Sequence, residues 1–343
     1  MPIFTAAFLE TYITKILVAL DTPTDLAELV ASSLVGANLA GHDSHGVGMA
    51  PTYAAQIRAG TLKPAARAHV EPASGMLATL AVNGAMGWGP PAGYLATEKT
   101  MERAKQYGIA AAVIRECQHI GRVGQYVERI AANDLIGIVT CNSSSGVAPF
   151  GGKHRTLGTN PIAIAAPRQG GQAPVMFDGS TSVVAGNKLK VQVDKGLPAP
   201  AGWIIDRDGQ PSTHAGDFFA GGALLPLGGH KGYALGVMVE LLAGLLSGNS
   251  ASFLPDFVGG NGVLVIGIRP DAFMPIDQYV AQVERACATL KAAPSLDVTR
   301  PVLLPGEPEQ LARAERTANG IPLAEATWRS LSELADSLGI GVA

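Results

Sequence analysis

The stretch Gly41-His42-Asp43-Ser44-His45-Gly46 packs two imidazoles, a carboxylate and a hydroxyl into one turn. Ser44 beside His45 can orient an imidazole, and histidine is the side chain best matched to proton transfer near neutral pH. The same residues admit two other readings. Asp43 or Ser44 can cap a helix, and His42 with His45 can hold a metal.

Four further clusters could hold a ligand. Gln118-His119-Ile120-Gly121-Arg122-Val123-Gly124 follows an apolar run and opens a helix. Backbone N–H groups there can hold a phosphate, Arg122 adds charge and His119 a hydrogen bond; a plain turn with glycine at positive φ is the alternative. Leu157-Gly158-Thr159-Asn160-Pro161 offers Thr159 to a ligand or simply builds a turn. In Phe177-Asp178-Gly179-Ser180, Asp178 can accept ribose hydroxyls or cap the next helix. Lys231 opens an apolar helix after Gly228-Gly229-His230, where a cation opposes the helix dipole unless an anion binds beside it.

The usual nucleotide signatures are missing. Gly84, Gly87 and Gly89 do not have GxGxxG spacing, and no Walker A sequence occurs. A dinucleotide site here requires another fold.

The elements that must position these clusters alternate. Helices are expected at about 24–40 and 52–59, then a strand at 77–82, a helix at 94–106, a strand at 109–114, a helix at 123–133 and a strand at 135–141. Strands at 162–166, 175–177 and 263–268 and helices at 231–246, 276–292, 309–319 and 323–338 complete an α/β pattern. The expected division is a helical N-terminal subdomain, 1–70, packing with the C-terminal helices of 303–343, and an α/β core at 71–302. Of the 343 residues, 47% are hydrophobic and 15% charged, with net charge −3. That excludes a disordered chain and a polyanion-binding surface. Cys117, Cys141 and Cys287 form no CxxC pair, which fits a reducing compartment. Glu240 interrupts the longest apolar run, so a membrane span is not expected, nor is a signal peptide. The expected location is cytoplasmic.

Six motifs in order carry a resemblance: NLAGHDSHGVGM (38–49), HIGRVG (119–124), LGTNPIAIAAP (157–167), FDGSTSVVAGNK (177–188), GGHKGYALGVMVELLAGLLSG (228–248) and LLPGEPE (303–309). They resemble the malate/L-lactate dehydrogenase family of non-Rossmann oxidoreductases over nearly the whole chain. GHDSHGVGM and the tail are most similar to its hydroxycarboxylate dehydrogenase branch. The resemblance implies a non-Rossmann mixed sheet with flanking helices, a homodimer with the active site near the interface, and interconversion of 2-oxo and 2-hydroxy acids with NAD or NADP. By position it makes His45 the proton donor or acceptor, with Ser44 beside it and His119 as the rival. Thr159 becomes a substrate contact. Cofactor contacts are implied at His119, Ile120, Gly121, Arg122, Val123, Asn142, Ser143, Ser144, Phe177, Asp178, Gly179, Ser180, His230, Lys231, Leu304, Pro305, Gly306 and Glu307, and no metal is implied.

Two departures bear on substrate. Many members carry an arginine four residues after the histidine; here Met49 stands, which would give an apolar wall suited to larger 2-oxo acids, with Arg122 as the substitute carboxylate clamp. The family's cyclic imine reductases place an aspartate where this chain has Lys188. A Δ1-piperideine- or Δ1-pyrroline-2-carboxylate reductase is the competing enzyme; a catalytically dead binding protein and a His42/His45 metal hydrolase are the readings from other classes.

Overall fold

The computed structural model describes residues 1–341 except 73–74, 195 and 298, and except the side chains of 187, 191 and 194. The last two residues of the expected 303–343 tail lie outside the described residues.

The chain opens with β1 (Ile3–Phe4), α1 (Ala6–Val18), α2 (Thr24–Leu39) and α3 (Ala50–Arg58). Thr5 caps α1 by accepting from Phe8 N–H, at 3.2 Å, which satisfies one of the free donors of the first turn. The buried faces of α1 and α2 meet in a core with Tyr53, Leu62 and Trp88. Ile321, Leu323, Leu331 and Leu334 join that same core from the far end of the chain.

The second layer is built from β2 (His69–Val70), β3 (Thr79–Gly87), α4 (Gly89–Tyr107), β4 (Ile109–Cys117), α5 (Gly124–Ala131), β5 (Ile136–Cys141), β6 (Ile162–Ala166) and β7 (Val175–Gly179). A smaller unit follows: α6 (Gly186–Asp194), β8 (Ile204–Ile205), β9 (Pro211–Ser212), α7 (Gly216–Phe219) and β10 (Ala223–Leu224). The chain then forms α8 (His230–Val239), a π-helical segment Glu240–Leu245, β11 (Val263–Ile268), α9 (Ile276–Lys291), α10 (Glu307–Asn319), β12 (Ile321–Pro322) and α11 (Glu325–Ser337).

Seven strands form one mixed sheet in the order β2-β3-β4-β11-β5-β6-β7, the α/β architecture that the motifs implied. In β4, Ala110, Ala112 and Ile114 face the core under α4 and α5, while Ala111 and Val113 face the π-helical segment, as the two-residue period of a strand requires. The pairing directions decide where loops emerge. β3 is parallel to β4, β11 is antiparallel to both β4 and β5, and β6 is antiparallel to β5 and β7. So β3, β4, β5 and β7 end at the edge of the sheet where β6 and β11 begin. Segments 118–124, 142–144, 157–161 and 179–180, with 261–262, all gather there.

Several elements differ from the periodicity reading. The expected 94–106 helix begins at Gly89, because Pro90 and Pro91 occupy its first turn, where a missing N–H is no loss. The expected 77–82 strand runs on to Gly87 through an irregularity after Asn83. The expected 231–246 helix changes to π-helix at Glu240. In the α6–β10 unit, β8, β9, α7 and β10 run only two to four residues, too short to show a period.

Candidate active site

The 41–46 turn is a 3₁₀ turn between α2 and α3. Asn38, 1% exposed in the last turn of α2, accepts from Val47 N–H at 2.8 Å and donates to the Asp43 carboxylate at 2.6 Å. Gly46 lies so close to the Asn38 amide that a Cβ would stand 2.2 Å from its oxygen, so only glycine permits this approach. From α10, Arg316 donates to both oxygens of Asp43, at 2.6 and 3.1 Å, and Glu309 meets His42 Nε2 at 3.3 Å. His42 therefore faces α10, not His45. Among the described residues no group of three or more His, Cys, Asp and Glu is arranged to hold a metal.

Within that frame Ser44 Oγ lies 2.9 Å from His45 Nδ1. The His45 ring stacks on His119, with centroids 5.4 Å apart and planes 22° apart. His119 Nδ1 lies 2.8 Å from the Tyr53 hydroxyl. The N-terminal turn and the loop after β4 thus bring Ser44, His45, His119 and Tyr53 together. Burial lowers the His45 imidazole to about 3, with His119, His42 and Arg122 adding repulsion. Burial alone lowers His119 to about 4. Burial raises the Tyr53 phenol, which stays protonated. Tyr53 lies outside the sequence motifs, and its helical spacing marks it only as a core residue.

Arg122 is not an open clamp. It is 3% exposed, with one nitrogen 3.2 Å from Asp178 and another 2.8 Å from Glu128. Asp178 also accepts from Gly124 N–H, at 3.1 Å, so the start of α5 expected to hold phosphate is capped by this carboxylate. Burial raises the Asp178 carboxyl, against the pull of Arg122 and His42. Arg122 is thus held in a buried ion pair rather than presented as an open cation, and Asp178 Oδ2 is taken up by Arg122 and Gly124. The isolated sequence could not pair residues 56 positions apart.

Several other expected residues line the same sheet edge, whereas the 304–307 loop lies beside the start of β7, toward the other end of the sheet. Thr159 is half-buried, and its N–H donates to Ser143 Oγ at 3.1 Å. Ser144 and Phe177 are exposed, and Gly179 and Ser180 half-buried. Ile120 N–H donates to Asn261, at 3.0 Å; Gly121 has φ of 75° and Val123 is buried. His230 and Lys231 are exposed at the start of α8, where the His230 ring meets Phe150. Leu304 N–H donates to Glu307 at 2.8 Å, Pro305 accepts from Met176 N–H at 3.0 Å, and Gly306 precedes α10. A groove of about 860 Å³ runs beside this loop, lined by Gly306, Glu309, Arg313, Arg168 and Met176. Met49 packs against the N-terminal core. Lys188 stands exposed on α6.

Known proteins match this arrangement over its full length. The chain is 37% identical to an L-lactate dehydrogenase of Cupriavidus necator over 336 residues, covering 95% of each chain. It is 36% identical over 347 residues to hydroxycarboxylate dehydrogenase B of Escherichia coli K12, covering 98% of this chain and 94% of that one. A solved structure of a putative malate/lactate dehydrogenase from E. coli superimposes with a TM-score of 0.92 at 35% identity, covering 100% of this chain and 97% of that one. The malate/L-lactate dehydrogenase family matches residues 4–332. The chain belongs to this family and is an oxidoreductase of the 2-hydroxy acid dehydrogenase type.

Proposed function

We propose that this enzyme interconverts small 2-oxo and 2-hydroxy acids with His45 as the acid/base group and Thr159 as a substrate contact. The observation that carries the reading is the Ser44–His45–His119–Tyr53 string at the sheet edge where the 118–124, 157–161 and 177–180 motif residues also meet. The enzyme uses NAD or NADP. The groove beside the 304–309 loop fits an extended dinucleotide: it is about 860 Å³, with Arg168 and Arg313 at its rim, and Glu309 links it to His42. Residues 304–307, the backbone around His119 to Gly121, and Lys231 would hold the cofactor. A bound nicotinamide supplies or receives the hydride.

The chain's own residues handle the proton. With Nδ1–H donated to Ser44 Oγ, His45 keeps a lone pair on Nε2 and accepts the hydroxyl proton of a 2-hydroxy acid. In reduction the protonated ring returns it to the oxygen formed from the carbonyl. The Tyr53 hydroxyl donates to His119 Nδ1, so the His119 Nε2–H is left as a donor beside the same oxygen. General acid–base catalysis is worth about 10²–10⁴-fold. His45→Ala is expected to lower kcat by that order with little change in cofactor Kd; full activity in that variant would move the role to His119. The substrate class is checked by absorbance at 340 nm with phenylpyruvate, pyruvate, oxaloacetate and Δ1-piperideine-2-carboxylate, each with NADH and NADPH. Lys188 in place of a relay carboxylate and Met49 in place of arginine favour the first. Fastest turnover of the cyclic imine would overturn this choice.

The same reading includes a homodimer. Leu235, Met238, Leu241, Leu242, Leu245 and Leu246 form an exposed apolar stripe on α8 and its π-helical continuation, and Ile164 and Phe177 expose further apolar surface on the sheet. Exposed apolar area of this extent marks an interface, and a second copy is the occupant a symmetric enzyme of this family would use.

A further inference from the structure

Glu240 is the first residue of the π-helical segment and is 0% exposed. A carboxylate in such a place is costly unless several hydrogen bonds compensate it. Its bonds come from neutral donors on three different loops. Oε1 accepts from Asn160 Nδ2 at 2.9 Å and from the Ser252 hydroxyl; Oε2 accepts from Asn142 Nδ2 and Ser252 N–H, both at 3.0 Å. The helix could pack on the sheet without any of this, since Val239, Ala243 and Leu264 already form an apolar contact there.

Two chains of hydrogen bonds lead away from the carboxylate. The first runs through Asn160, whose Oδ1 accepts from Ser143 N–H at 3.2 Å; Ser143 Oγ accepts from Thr159 N–H at 3.1 Å. Asn160 itself sits at φ of 41°, a strained conformation held by these contacts. The second runs through Asn142, whose carbonyl accepts from Asn261 Nδ2 at 2.6 Å; Asn261 Oδ1 accepts from Ile120 N–H, next to His119. The π-turn begins at the side chain that meets both branches, and π-bulges are frequent at functional sites.

We propose that Glu240 is a positioning residue: its carboxylate fixes the Thr159 loop relative to the end of β5, and so sets the geometry of the substrate contact. This rests on the reading of Thr159 given above. Glu240→Gln keeps the volume but turns one acceptor into a donor facing donors, so the network cannot be satisfied.

The test is a double-mutant cycle on kcat/KM for phenylpyruvate in the intact enzyme, using Glu240→Gln, Thr159→Val and the pair. Glu240→Gln is expected to lower kcat/KM at least tenfold, mainly through KM. Thr159→Val is expected to cost at least tenfold alone but less than twofold in the Glu240→Gln background. Multiplying effects, or wild-type kinetics in Glu240→Gln, would overturn the proposal while leaving Thr159 in place. A silent Thr159→Val in the wild type would remove the substrate contact itself, and the proposal with it. If Glu240→Gln does not fold, Asn160→Gly takes its place in the cycle. It tolerates the positive φ and cuts the branch to Thr159, together with the Asn160 bond to the Gly236 carbonyl, while leaving the Asn142 branch intact, and the same outcomes decide.

Discussion

Tyr53 and Asn38 matter here as much as the histidines they hold. Tyr53 fixes which nitrogen of His119 faces the site, and Asn38 ties down both ends of the turn that presents His45. Burial depresses both imidazoles, so each is neutral at physiological pH, as the proposed roles of His45 as base and of His119 as Nε2–H donor require. With the cofactor saturating, kcat/KM for oxidation of a 2-hydroxy acid is expected to stay flat from pH 8 down to about 5, since the ordinary histidine value is about 6.5. A steep acid limb between pH 6 and 7 would contradict it. The same shifts bear on stability. A group with a depressed folded-state value binds fewer protons folded than unfolded, so its contribution is complete above the unfolded value of 6.5. It is lost as pH falls from 6.5 towards the folded values of about 3 and 4. Thermal melts from pH 7.5 to 5 should therefore fall less in His119→Gln than in the wild type; parallel curves would show that the shift is absent.

At the scale of elements, α10 joins two ends of the site. Its first residue closes the 304–307 loop, and further along Glu309 and Arg316 reach His42 and Asp43. Helix and turn are therefore one mechanical piece, although they are more than 260 residues apart in sequence. Arg316→Ala removes the two bonds to Asp43, and a hydrogen bond to a charged group is worth about 1.5–3 kcal/mol when buried. Asp43 is 47% exposed, which discounts that figure. The expected result is a modest loss of stability, about 1 kcal/mol, with kcat lowered roughly tenfold because the Ser44–His45 turn loosens. Urea titration and steady-state kinetics read the two separately, and unchanged kcat would show that Asn38 alone holds the turn.

For the whole molecule, two buried cores support one site between them. One is shared by the first and last parts of the chain, the other lies between the sheet and α4 and α5. We propose that these correspond to a helical unit and an α/β unit. No helix among the described residues is long and apolar enough to cross a membrane. We propose that a second copy of the chain covers the exposed stripe on α8. Leu242→Glu puts a charge on that stripe without touching the sheet-edge residues. It is expected to yield monomers by light scattering, with activity lost if the site depends on the second copy. A dimer of unchanged stability would place the interface elsewhere.

The order of motifs determined the family and the α/β class, and it singled out the turn that holds Ser44 and His45. Local patterns sufficed because hydrophobic period and turn residues act over a few positions; β6 and β11 have the bounds that their apolar runs implied. Other features came only with tertiary structure. Arg122 reads as an open cation in sequence, yet Asp178 arrives from a distant strand and closes it off. Tyr53 reads as core and Glu240 as an interruption in an apolar helix; each is defined by a partner brought from another part of the chain. Pairings of this kind have no period and no spacing rule. They depend on which strand ends share one edge of the sheet, and strand order fixes that only after the whole chain has folded.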